Sequence, residues 1–340
     1  MSFARYLATR GLRAVAVVFG AATLIFFLVR VIPGDPARLA LGAYATAAQV
    51  QNLDNQWGLN QPLYVQYLSF LKGLLDGNWG TSLVTRDPVL ANIETFFPAT
   101  LELTLFATVL TIIIGVPLGI VGATRRNKMA DHTARVTSVA GLALPQFWVA
   151  IMLQLILGYY LRLLPEIGDL SLGLKPPDHI TGLYLVDSLL TLNWPDFSSS
   201  FIHLLLPGFV LALGPIAQIS RYLRSSMIDE MDKDYVQLAR SYGLPNRIVN
   251  YSYMLKNALP AAMTQLSLIF GFSLGGAIII EDVYSWPGMG KYLFEAISFK
   301  DLFAITGCVV VIAIAISLAT FLNDMLNGFL DPRIRLGEKR

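Results

Sequence analysis

The chain has 340 residues, 55% of them hydrophobic and 14% charged, with a mean hydropathy of +0.57. Soluble domains carry about a quarter charged residues, so this composition excludes a soluble globular protein, and a net charge of only +2 argues against nucleic-acid binding. The single cysteine, Cys308, lies inside an apolar run, which excludes an intrachain disulfide and marks a small buried hydrophobe.

Six runs nearly free of charge are long enough to cross the roughly 30 Å of a bilayer core. In order they centre on Ala14–Val29, Leu103–Thr124, Val136–Leu161, Phe201–Ser220, Asn257–Ile280 and Leu302–Asn323. The first is followed by Pro33-Gly34-Asp35-Pro36 in place of a small-x-small cleavage site, so it reads as a retained anchor, with Arg30 snorkelling at its end. The segment Pro33–Thr100 is too long for a structureless connection and predicts a small extracytoplasmic subdomain, with an amphipathic stretch at Pro62–Leu75 and a turn at Asp76–Gly80. A second outer segment, Arg162–Ser200, carries turn residues and no motif. Pro117, Pro145, Pro207 and Pro215 fall inside runs, where each removes a backbone donor and predicts a kink. With Gly271 and Gly275 they are the candidate hinge and gating positions; Gly271, Gly275, Gly276 and Ala277 form a small-residue face for close helix approach, to a neighbouring span or to another subunit. Trp286 suits the membrane interface, and Glu102, Glu281, Asp282 and Asp324 sit near run ends, where carboxylates are expected to reach water.

If the N-terminus is cytoplasmic, 17 of the 25 basic residues fall on the inner side, in the sense of the positive-inside rule. The polar island Asp234–Pro260 then lies in the cytoplasm. In it Tyr235, Leu238, Ala239 and Tyr242 recur at helical spacing, Gly243 supplies a left-handed stop, and Pro245 suits the first turn of a second helix. An exposed helix with an apolar stripe, followed by a sharp corner, suggests docking into a partner; an interfacial helix resting on lipid headgroups is the plainer reading.

The island resembles the signature loop of ABC-importer permeases, in which a small residue, a glycine four positions on and a leucine twelve beyond mark the coupling helix: Ala239, Gly243 and Leu255. Asp234, Tyr235, Ala239, Arg240, Gly243, Leu244, Asn257, Ala258 and Leu259 match the oligopeptide/dipeptide (peptide/nickel) branch, first-permease (B-type) subunit; Ser241, Tyr242 and Lys256 depart from it. Further phrases similar to that branch are Pro33–Pro36, Gly58–Pro62, Gly77–Ser82, the loop Glu281–Gly290 and the tail Leu330–Arg335. The resemblance implies an all-α membrane protein of six transmembrane helices with the type I ABC importer permease fold. Its parts would be an N-terminus and first helix (1–32), an extracytoplasmic subdomain (33–100), a five-helix core (101–330) with coupling loop 222–256, and a cytoplasmic tail (331–340). It implies an ATP-driven importer of di- or oligopeptides in the inner membrane, both termini cytoplasmic. The implied partners are a second permease, two ABC ATPases and an extracytoplasmic substrate-binding protein. Coupling falls to Asp234, Tyr235, Leu238, Ala239, Arg240, Tyr242, Gly243, Leu244, Leu255 and Asn257. Nickel, glutathione and oligosaccharide importers share these motifs.

No cofactor or metal is expected in this chain, ATP and magnesium belonging to the partner ATPases. Gly288-Met289-Gly290-Lys291 lacks the earlier glycine and the Ser/Thr of a phosphate loop. His132, His179 and His203 are too scattered for a metal site and read as surface or boundary residues. A secondary ion-coupled carrier is the rival class; it calls for ionisable groups near the midplane, which the runs lack.

Overall fold

The computed structural model describes residues 3–31, 36–42 and 44–330. The Pro33-Gly34-Asp35 turn and the tail from Asp331 onward lie outside the described residues. Helix α1 (Phe3–Val31) is followed by α2 (Pro36–Leu41), α3 (Ala47–Trp57) and α4 (Leu63–Asp76). Then come α5 (Val89–Leu110), a π segment at Thr111–Gly115 and α6 (Val116–Thr124), which together make one long rod. Next are α7 (Met129–Ala143), α8 (Gln146–Leu153, continued by a π segment to Tyr160) and α9 (Tyr184–Leu190). The second half holds α10 (Trp194–Met231), α11 (Asp234–Ser241), α12 (Asn246–Ile248, continued by a π segment to Leu255), α13 (Lys256–Val283), α14 (Met289–Ser298) and α15 (Leu302–Leu330).

Among the described residues, five helices are long and apolar enough to cross a membrane: Tyr6–Val31, Val89–Thr124, Trp194–Met231, Asn246–Val283 and Leu302–Met325. The third apolar run does not form one helix, correcting the expectation of a continuous span over Val136–Leu161. Pro145 has no N–H to donate and pushes Leu144 out of helical geometry, so α7 stops at Ala143 and a shorter apolar helix runs from Gln146 to Tyr160. Pro207 and Pro215, by contrast, are accommodated inside a continuous α10. Pro117 falls in the first turn of α6, directly after the π segment.

Helix α10 is the central post: 72% of its most apolar stretch is buried, against 22% for that of α1. The peripheral helices turn large side chains outward, among them Val15, Phe19 and Leu24 of α1 and Ile314, Leu318 and Leu322 of α15, as a lipid-facing surface requires. Close approach of α6 to α10 depends on glycines that the sequence reading overlooked. A Cβ on Gly115 would fall 2.3 Å from Ile219, and one on Gly119 3.0 Å from the Ser220 carbonyl oxygen. Gly271 packs against Ile316 of α15, whereas Gly275 and Gly276 open onto free space. The small-residue face read from sequence is therefore divided: Gly276 lies about 140° round α13 from Gly271, and Gly275, about 40° round, sits one turn further along the helix.

The end of the bundle bearing α11 is termed the near end and the other the far end. The segment between α1 and α5 lies at the far end and joins the core of the bundle. Phe70 stacks on Phe26, the Tyr67 and Thr23 hydroxyls hydrogen-bond at 2.7 Å, and Leu74 and Trp79 enter a cluster with Ile25, Val29, Val89 and Cys308. Asp301, wholly buried, caps α15 through the Ala304 N–H and accepts from the Ser82 hydroxyl at 2.7 Å, stapling the turn before α5 to the start of α15.

Candidate functional site

The polar island folds as a corner beneath α10. Helix α11 begins with Asp234 and ends with Arg240 in its last turn, charges that complement the helix dipole. Gly243 adopts φ +73°, its N–H bonds to the Arg240 carbonyl at 2.9 Å, and the Leu244 N–H bonds to the Ala239 carbonyl at 3.2 Å. These two bonds are the Schellman stop, and Leu244 completes it by packing into the same apolar cluster as Ala239. Pro245 stands just before α12, whose first residue is Asn246.

The stripe read from sequence divides in two. Val236, absent from that reading, is fully buried, and Ala239 joins it, both packed with Leu223, Met227, Val249 and Met254. Tyr235, Leu238 and Tyr242 face outward, the last two 56% and 78% exposed. Ala239 is thus an anchor to the bundle, correcting the expectation that it shares an exposed docking stripe. A short helix must bury one face to stay in place, and only the neighbouring strip is left for a partner. Tyr235 donates its hydroxyl to the Glu230 carboxylate. Leu255 is half-buried within the inner cluster, and exposed Asn257 donates to the Tyr253 carbonyl at 2.7 Å.

One connection near this corner has no signal in the linear pattern beyond Asp131 and Arg135 at i,i+4 spacing. The fully buried Asp131 carboxylate receives Arg224 at 2.7 and 2.9 Å, Arg135 at 3.1 Å and the Asn127 N–H at 2.9 Å. It ties α7 to the lower part of α10, close above α11. The Arg224 hydrogen bond, against the opposing effect of burial, holds the Asp131 carboxyl down to about 2. Its folded value lies below the unfolded one of about 4, so the stabilisation is complete above that unfolded value and is lost as pH falls through about 2. Asp131→Ala leaves the Arg224 guanidinium without its carboxylate and is expected to destabilise the purified protein by about 3–5 kcal/mol. Thermal unfolding in detergent checks this; a midpoint equal to wild type contradicts it.

At the far end the loop Glu281–Gly290 is folded inward, and two expectations are corrected. Glu281 is 0% exposed and Glu102 is buried as well, so these carboxylates do not reach water, and Trp286 is 1% exposed and sits inside the bundle, not at its rim. Glu281 accepts the Thr100 hydroxyl at 2.6 Å and the Lys291 N–H at 3.0 Å, while the same Thr100 hydroxyl accepts the Met289 N–H at 2.7 Å. Trp286 donates to the Ala99 carbonyl and Tyr284 to the Ala150 carbonyl, both at 3.0 Å. Glu102 accepts the Tyr184 and Leu185 N–H groups at the start of α9. Gly288 and Gly290 have no room for a Cβ, which would fall 2.3 and 2.8 Å from the Glu281 carboxyl group. Buried carboxylates at helix ends carry no periodic signature; the clue was glycine density beside an acidic residue. His203, read as a boundary residue, is buried too, its Nδ1 2.8 Å from the Ser199 carbonyl.

Residues 115–336 match the family described as binding-protein-dependent transport system inner membrane component, and residues 3–104 match its N-terminal counterpart. The probable D,D-dipeptide transport system permease protein of Escherichia coli K12 is 40% identical over 99% of both chains. The dipeptide transport system permease protein of Alkalihalophilus pseudofirmus is 38% identical over 97% of this chain and 99% of its own. Among solved structures, the inward-facing MetNI methionine ABC transporter superposes with a TM-score of 0.50 at 13% identity, covering 68% of this chain and 93% of that one, a likeness of fold.

Proposed function

The chain belongs to the family of binding-protein-dependent transport system inner membrane components, and from that premise we propose that it is one of two permeases of an ATP-driven importer of di- or oligopeptides. Its relatives are named as dipeptide, di/tripeptide and oligopeptide permeases, which supports the substrate class. In this reading the near end is cytoplasmic, as the distribution of basic residues favours, and the segment between α1 and α5 meets an extracytoplasmic substrate-binding protein. Two ATPases bind ATP and magnesium, and the permease contributes the gate.

The observation that carries the reading is the two-sided α11. Val236 and Ala239 fix the helix to α10 and to the π segment Val249–Leu255 that leads into α13, while Tyr235, Leu238 and Tyr242 offer an apolar strip on a rigid corner. A helix so held transmits displacement: when the ATPases close on ATP, a groove gripping the strip moves α10 and α13 with it. The Asp131–Arg224 tie extends that motion to α7, and the break at Pro145 with the π segment before Pro117 lets the bundle bend.

Reconstitution with a second permease, the ATPases and a binding protein tests the reading: a labelled dipeptide should accumulate in vesicles only with hydrolysable ATP, and accumulation driven by an ion gradient alone would overturn it. Single cysteines at Leu238 and Tyr242 are expected to cross-link to an ATPase subunit, with a cysteine at Ala239 at least tenfold less efficient. Equal capture at all three positions would contradict the two-sided arrangement.

A further inference from the structure

A cavity of about 200 Å³ opens between α8, α10 and α13, lined by Gln146, Gln218, Ser273, Phe272 and the glycines Gly214 and Gly276. Gln218 lies within the apolar run of α10, Ser273 and Gly276 within that of α13, and Gln146 is the first residue after the Pro145 break. None of the three polar side chains has a hydrogen-bond partner among the described residues, although Ser273 is only 8% exposed. An amide carries two donors and an acceptor with two lone pairs, and leaving them unpaired against hydrocarbon costs several kcal/mol. This face therefore meets neither lipid nor the chain's own core; it meets water or something that hydrogen-bonds. A Cβ at Gly276 would touch nothing within 4 Å, and Phe272 is 81% exposed, so the site continues outward from the chain as an open wall.

We infer that this cavity is the chain's half of the solute path, and that Gln146, Gln218 and Ser273 contact the backbone amides of a passing peptide. The inference rests on the proposed import of peptides and adds the residues that meet the solute. The chemistry favours that ligand class. Uncharged groups that both donate and accept match a peptide bond without selecting the sign of a side chain, and Phe272 adds an apolar surface that tolerates varied side chains. A wall made of carboxylates or ammonium groups would have retained charged solutes; amides hold each one weakly enough to release it. The Pro145 break also places the free N-terminal end of the helix Gln146–Tyr160 at the same wall, where backbone dipoles favour a carbonyl or carboxylate oxygen.

The test uses the complete transporter in proteoliposomes. Gln146→Leu and Gln218→Leu are expected to assemble with the second permease and the ATPases and to keep ATP hydrolysis stimulated by the loaded binding protein. Dipeptide uptake should fall at least tenfold, with Gln218→Asn restoring part of it. Methylating the peptide nitrogen of the dipeptide should lower wild-type uptake by a larger factor than it lowers uptake by Gln218→Leu; the ratio of the two factors cancels the binding protein's own discrimination. Wild-type uptake in both leucine variants would overturn the inference, as would failure of the second permease to co-purify with them, since the amides would then belong to a subunit interface. If the unaltered complex imports no peptide, the proposed function fails instead, and that control separates the two.

Discussion

Replacing Glu281 with alanine is expected to lower the thermal midpoint of the purified permease by about 10 °C, and to reduce the amount recovered from membranes. The carboxylate is fully buried and accepts the Thr100 hydroxyl and the Lys291 N–H, with Gly288 and Gly290 pressed against it. Truncation leaves at least two buried donors without an acceptor, at about 1–3 kcal/mol each, and a void where the carboxyl group lay. A loss of about 3–6 kcal/mol is a large part of the stability of a folded chain, and in a protein of this size it corresponds to a shift of that order in midpoint. Glu281→Gln keeps one acceptor oxygen and should fall between. Gly288→Val attacks the same contact from the other side, since its first added atom would overlap the carboxyl group. Fluorescence-detected size-exclusion after stepwise heating reads all three; a wild-type midpoint for Glu281→Ala would mean that the loop is held by Trp286 and Tyr284 alone.

The contrast between the two ends of the bundle explains what was legible in the chain. Spans announced themselves because hydrocarbon demands long apolar runs, and five of the six runs became helices that reach or exceed their predicted extent. The corner at Gly243 was legible because a left-handed stop needs a glycine and a following apolar residue in fixed order. The division of the α11 stripe was not, since Tyr235 and Ala239 satisfy the same periodicity, and only the position of α10 and α13 decides which flank is covered. Gly115 and Gly119 were open to view as a small-xxx-small pair, yet without the partner Ile219 they do not differ on paper from Gly271 and Gly275. The buried carboxylates were misread for a related reason. Proximity to a run's end says where a residue sits along the membrane normal and nothing about whether a loop folds back over it, as Trp286–Met289 does over Glu281. Hydrogen-bond partners nearly two hundred positions away, such as Thr100 and Glu281, leave no local trace.

Replacing Gly243 with valine is expected to cut ATP-driven uptake at least tenfold while leaving insertion and abundance near wild type. Gly243 sits at φ +73°, and a Cβ placed there would touch nothing within 4 Å, so the penalty comes from backbone conformation alone. The left-handed region costs an ordinary residue about 1–2 kcal/mol and a β-branched one more. Each 1.4 kcal/mol is a factor of ten in the fraction of molecules holding the corner, so valine should leave a few per cent with α11 correctly angled. The spans do not depend on this corner, because Val236 and Ala239 reach the core from the helix before it, and the bundle's clusters lie above it. In the proposed coupling, a lever whose angle is lost still binds its partner on encounter but no longer converts closure of the ATPases into rotation of α10 and α13. The series Gly, Asn, Ala, Val should therefore rank uptake in that order, asparagine being the residue that best tolerates φ > 0. ATP hydrolysis should persist throughout and become uncoupled from uptake in the valine variant. Equal uptake across the series would show that the corner tolerates another geometry, and a parallel fall in abundance would place the residue in folding instead of coupling.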